Sequence, residues 1–201
     1  KSSKVIRFLA LAVAVTTLSC GEDEPSAFEK AAADLEGIYT VDSRTVNSAA
    51  CTEGDESALT EDGDGYFFAK ASSFFGIKLL SLTSCADPAD CREKIEASSE
   101  FSFFTIDFSY TVHDVDSDGN LYGEGATTGS SGSETCENGE ISYTTLIKNG
   151  PKITVTQKIT KADPHPVDAE GYCTTDGAVA AAEGNSCSEM EVLTGTFQEA
   201  L

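Results

Sequence analysis

The sequence predicts an all-β domain with short helices, an eight-stranded antiparallel up-and-down barrel. Three observations predict it. Apolar and polar residues alternate with a period of two along much of the chain after Gly37. The connections between the alternating stretches run long, short, long, short, long, short, long. Six of the seven cysteines fall in the long connections. Antiparallel strands must hide their edges, and eight of them can do so by closing. A β-sandwich of similar strand count satisfies the same pattern and stands as the alternative.

The N-terminus carries an address. Lys1, Lys4 and Arg7 form a basic start, and residues 8–19 form an apolar run of twelve residues. A helix needs about 20 such residues to cross a bilayer, so the run reads as a secretory signal. It ends Thr17, Leu18, Ser19, Cys20, Gly21. This resembles the lipobox of bacterial lipoproteins, with Thr17 where the family usually has leucine. The resemblance implies that Ser19 is the last residue removed and that Cys20 carries the lipid. It also implies a place in the bacterial cell envelope, anchored to a membrane, the outer membrane first among the choices. The chain then divides into a signal peptide (1–19), a lipidated acidic linker with a short helix (20–36) and the barrel domain (37–201). Cleavage leaves 182 residues with ten basic and thirty-four acidic side chains, a formal charge of −24. That balance argues against nucleic acid as a partner, because phosphates would be repelled.

Each element has its own warrant. Ser26 is placed as an N-cap, and Glu29 completes a capping box for a helix over 26–35. Strands are expected at 38–47, 66–71, 75–83, 104–112, 120–128, 141–147, 153–160 and 190–198, from alternation such as Ile153, Val155 and Ile159 against Thr154, Thr156 and Lys158. In a meander, alternate connections lie at opposite ends. The short turns therefore share one end, and the long loops with Cys51, Cys85, Cys91, Cys136, Cys173 and Cys187 share the other. An even set in an exported chain suits three disulfides. Six cysteines allow fifteen pairings. Local pairing favours Cys85–Cys91 and Cys173–Cys187, and leaves Cys51–Cys136. Between Cys173 and Cys187 a short helix over 178–183, begun by Asp176 and stopped by Gly184, is expected as a cover for the barrel mouth or as packing.

Gly37, Ile38 and Tyr39 open the first strand after a short helix. This is similar to the Gly-x-Trp start of lipocalins, with Tyr39 in the tryptophan position; the arginine that lipocalins place near the last strand has no counterpart at 192–201. The resemblance implies a lipocalin-like barrel and a small apolar ligand.

Asp114, Asp116, Asp118 and Asn120, with Gly119, have the spacing of a calcium loop. The glutamate an EF-hand needs at the twelfth place is absent, since that place is Gly125, and a strand precedes the loop. The same residues are what a hairpin turn demands, so calcium is a weak candidate and no other cofactor is expected. His113 and His165 are isolated and expected at the surface or in turns. The chain has neither a Gly-x-Ser-x-Gly elbow nor a phosphate-cradling glycine loop, which argues against an enzyme and leaves a hydrolase a distant choice. The expectation is an exported, lipid-anchored barrel that binds a small ligand or a cell-surface partner at its disulfide-stapled end. The alternative is a structural or adhesive surface lipoprotein.

Overall fold

The structure, a computed structural model, describes residues 24–47, 51, 59–61, 65–74, 77–97, 109–128, 135–137, 139–162 and 164–201. The signal segment and Cys20 lie outside these residues, as do positions 104–108 of the strand expected at 104–112 and positions 75–76 of the strand expected at 75–83.

Eight long strands form a nearly closed antiparallel barrel. They are β1 (Gly37–Asn47), β3 (Tyr66–Phe74), β4 (Ile77–Cys85), β5 (Ser109–Val112), β7 (Leu121–Thr127), β9 (Glu140–Asn149), β10 (Lys152–Lys161) and β12 (Glu189–Glu199). Four short segments accompany them: β2 (Leu59–Glu61), β6 (Asp114–Val115), β8 (Thr135–Cys136) and β11 (His165–Pro166). The order β5-β4-β3-β1-β12-β10-β9-β7-β6 is an up-and-down meander in which the first and last long strands pair. The two ends of that path, β5 and β6, are separated only by His113, whose N–H donates to Tyr122 O at 2.9 Å. The ring thus closes through the chain itself. At this seam a Cβ on Gly123 would run into the backbone of Thr111 and Val112, so only glycine lets β7 pass β5.

Three short helices complete the fold. α1 (Ala27–Ala33) has the expected capping box: Glu29 N–H donates to Ser26 Oγ (3.1 Å) and Ser26 N–H to Glu29 Oε2 (2.9 Å). Those bonds hold the Glu29 carboxyl below its ordinary range. α1 plugs the short-turn end, burying Phe28, Ala32 and Leu35 against the barrel core. Tyr39 Oη donates to Leu35 O at 2.7 Å, and Lys148 Nζ donates to Asp34 O at 2.6 Å.

α2 (Pro88–Ala97) fills a stretch expected as loop. Asp87 Oδ1 accepts from Ala89 and Asp90 N–H, and Pro88 starts the helix where no N–H is needed. Cys91 and Ile95 pack on the outward-facing Ile38 and Phe68. α3 (Thr175–Ala182) begins one turn earlier than expected, because Thr174 rather than Asp176 is the cap; Thr174 Oγ1 accepts from Gly177 N–H at 3.1 Å. Its Ala178 and Ala182 pack with Ala162 and Ile141 on the outer wall, so α3 braces the barrel from outside.

Inside, Tyr39, Phe67, Leu80, Leu82, Val112, Leu121, Leu146, Ile153, Val155 and Leu193 fill the plugged half. Tyr39 and Phe67 are cross-strand partners with rings stacked 5.1 Å apart. Burial pushes the Tyr39 phenol up to about 12. A buried phenol stays neutral in the folded chain while the unfolded chain ionises near 10. Its contribution is therefore intact below about pH 10 and is lost towards pH 12, at about 1.4 kcal/mol per pH unit. Thermal melts across that window should show this decline, and Tyr39→Phe should make it shallower, leaving the part due to the buried Tyr110 phenol.

Candidate functional site

The inner wall changes character halfway along the barrel. Leu193 and Gly195 of β12 face inward: Leu193 is fully buried, and a Cβ on Gly195 would come within 2.6 Å of Phe67 Cζ. Two residues back towards the long-loop end, the inward position is Glu191, which is buried. Its partner comes from β1 by way of an irregularity. Val41 packs on the core, the register then shifts between Val41 and Ser43, and Arg44 pairs with Leu193, so Arg44 also faces inward. The extra residue at Asp42 is what brings it there.

Arg44 Nε donates to Glu191 Oε1 in a close ion pair, with side chains 20% and 9% exposed. Burial works against the guanidinium charge, but the hydrogen bond and charge of Glu191 outweigh it and the pKa of Arg44 is raised. Burial first, and the Glu191 carboxylate second, push the Tyr110 phenol far above its ordinary value. Tyr110 thus remains a neutral hydroxyl beside the pair. On the neighbouring strands Gln157 Nε2 donates to Thr144 Oγ1 at 3.1 Å. Thr144 and Gln157 are register partners, and Gln157 pairs with Glu191. Arg44, Glu191, Tyr110, Thr144 and Gln157 therefore form a polar band on four strands and β5, above an apolar floor.

The long loops around this end are cross-linked. Cys85–Cys91 is present as expected. The other two pairs differ: Cys51 bonds to Cys187, and Cys136 to Cys173. The reason lies in where the strands meet. Cys187 lies just before β12, whose neighbour β1 leads to Cys51; Asn47 and Met190 are the last paired residues there.

Asp114, Asp116, Asp118 and Asn120 form a hairpin turn. Asp116 Oδ1 accepts from Asp118 and Asn120 N–H (both 2.9 Å), and its Oδ2 from Asn120 Nδ2 (3.1 Å). Asp114 Oδ2 accepts from Tyr122 Oη at 3.0 Å. Bonds from Asn120 lower the Asp116 pKa, and the Val115 N–H lowers that of Asp114. No group of three or more His, Cys, Asp or Glu among the described residues is gathered to hold a metal. Asp116→Ala should lower the melting temperature, Asp118→Ala should leave it nearly unchanged, and millimolar calcium should shift neither protein.

His113 is exposed at the seam, as expected. His165 is instead fully buried beneath α3, with Nε2 3.2 Å from Thr128 Oγ1 and no partner for Nδ1 among the described residues. At the plugged end two surface clefts, about 160 and 260 Å³, flank Lys148 on either side. They share Asp34 and Lys148, which already bind each other.

The fold and site together define an all-β barrel with an apolar plug at one end and a polar, disulfide-stapled end at the other. No family model, curated protein or solved structure matches the chain.

Proposed function

We propose that the chain is an exported lipoprotein of the bacterial envelope, anchored through Cys20, whose barrel takes a small ligand at the stapled end. The observation that carries this reading is the polar band inside the barrel. A buried ion pair is a poor way to stabilise a core, because desolvation offsets its attraction. Polar groups converging on the inside of a barrel above an apolar floor are instead what a ligand site needs for orientation. The ligand would set a polar group against Arg44 and Glu191 rather than fill the barrel with an apolar body, since apolar side chains occupy the far half.

The anchor fits this arrangement. Six residues from Cys20 to Ser26 reach about 20 Å at most, which keeps the α1 end towards the membrane and turns the stapled end away. Beside Glu191 stand a charged arginine and a neutral tyrosine, groups suited to hydrogen-bonding and orienting a polar ligand.

Native mass spectrometry of the protein released intact from its envelope tests the reading. A small-molecule adduct that is lost in Arg44→Met is expected, and an adduct-free or Arg44-independent spectrum would overturn it. In parallel, Cys20→Ala should abolish membrane fractionation; unchanged membrane association would refute the anchor.

A further inference from the structure

We propose that the loop from Asp168 to Tyr172 is a docking knob for a protein partner, with Tyr172 as the anchor inserted into an apolar pocket ringed by basic residues. Tyr172 is 69% exposed, the most exposed large apolar side chain among the described residues. Exposure alone means little, since single apolar residues are common on protein surfaces. The backbone beneath Tyr172 is the distinguishing feature.

The loop is closed upon itself. Asp168 N–H donates to Tyr172 O at 2.9 Å, and Tyr172 N–H donates back to Asp168 Oδ1 at 2.7 Å. Glu170 N–H donates to the same Oδ1 at 3.1 Å, and Gly171 N–H to Asp168 O at 3.0 Å. Gly171 sits at φ +85°, where other residues are strained. The next residue, Cys173, is bonded to Cys136, and Thr174 then caps α3. Tyr172 is therefore fixed from both sides while its ring stands in solvent.

Other exposed aromatics have partners within the molecule. Tyr143 leans on Tyr122 with centroids 5.9 Å apart, and Phe197 meets Tyr39 edge-on at 5.5 Å. Tyr172 has no ring contact among the described residues. A tyrosine with two rotatable angles on a fixed backbone loses little entropy when it binds, and tyrosines in such positions dominate interface energetics.

Charge supplies the partner's character. Asp168 and Glu170 precede Tyr172 in the loop, and Asp176 follows on α3. The stretch 162–188 holds five acidic residues and no lysine or arginine. A basic rim would steer and orient a partner here. The inference relies on the stapled end facing outward and does not depend on the interior ligand.

A random peptide library displayed on phage, panned on the mature protein, tests it. Selected peptides should combine lysine or arginine with apolar residues. They should bind Tyr172→Ser at least about tenfold more weakly, and Tyr143→Ser as well as the natural protein. Gly171→Ala leaves the tyrosine in place but strains its loop, and should also weaken binding severalfold. All three substituted positions are exposed, and equal melting temperatures for Tyr172→Ser and the natural protein verify folding. Peptides indifferent to Tyr172 or to Gly171, peptides without basic residues, or no selected peptides at all would overturn the knob. The interior ligand would stand or fall separately on its adduct.

Discussion

Replacing Cys51 and Cys187 together with alanine is expected to lower stability by about 5 kcal/mol, the largest loss from any single cross-link in the chain. The two sulfurs join residues 136 apart, so their bond removes most from the freedom of the unfolded chain. Cys136–Cys173 spans 37 residues, for which the same chain-entropy relation gives about 4 kcal/mol. Cys85–Cys91 spans only 6 residues, which gives about 2 kcal/mol. A domain of this size has a net stability of about 5–15 kcal/mol, so the first double substitution brings it close to unfolding. Urea midpoints of the three double-alanine variants should fall in that order. Equal losses would mean that the bridges act by local packing instead.

The second large effect is expected at Glu191. Glu191→Met alone strips Arg44 of its carboxylate partner inside the barrel, where a charge is poorly solvated. Breaking such a pair from one side costs about 3 kcal/mol, at the low end of the range because a fifth of Arg44 still reaches solvent. The loss should appear as a shift in denaturant midpoint with an unchanged slope.

How much of this was legible from the residues differs by level. Clean alternation marks β5, β9 and β10, because a half-buried strand writes its period into the sequence; the other five long strands carry less regular patterns. The capping box at Ser26 and Glu29 was legible because both partners lie within one turn. α2 was missed although Asp87 and Pro88 announce a helix start; its ten residues bury little beyond Cys91 and Lys94, so it lacks a clear apolar face. β2, β6, β8 and β11 have two or three residues each and are too short to carry a period.

The site was harder to see. Inward Glu191 follows from the alternation of β12, in step with Leu193 and Gly195. Arg44 does not follow, because strict alternation from Tyr39 and Val41 puts it on the outside. The irregularity at Asp42 reverses that, and it exists only in the pairing of β1 with β12. The disulfide pairing was illegible for a similar reason. Nearness of Cys187 to Cys51 is created by the meeting of the first and last long strands, and sequence distance points elsewhere.

The central claim is that the polar band inside the barrel is kept for binding, at no gain in stability. Arg44→Met with Glu191→Met, made together, tests it most directly when thermal unfolding and native mass spectra are read on the same sample. Apolar side chains of similar volume replacing a buried pair are neutral or stabilising by about 1–4 kcal/mol. The account predicts a melting temperature equal to or above that of the natural protein, with the small-molecule adduct gone. A lower melting temperature with the adduct retained would contradict it.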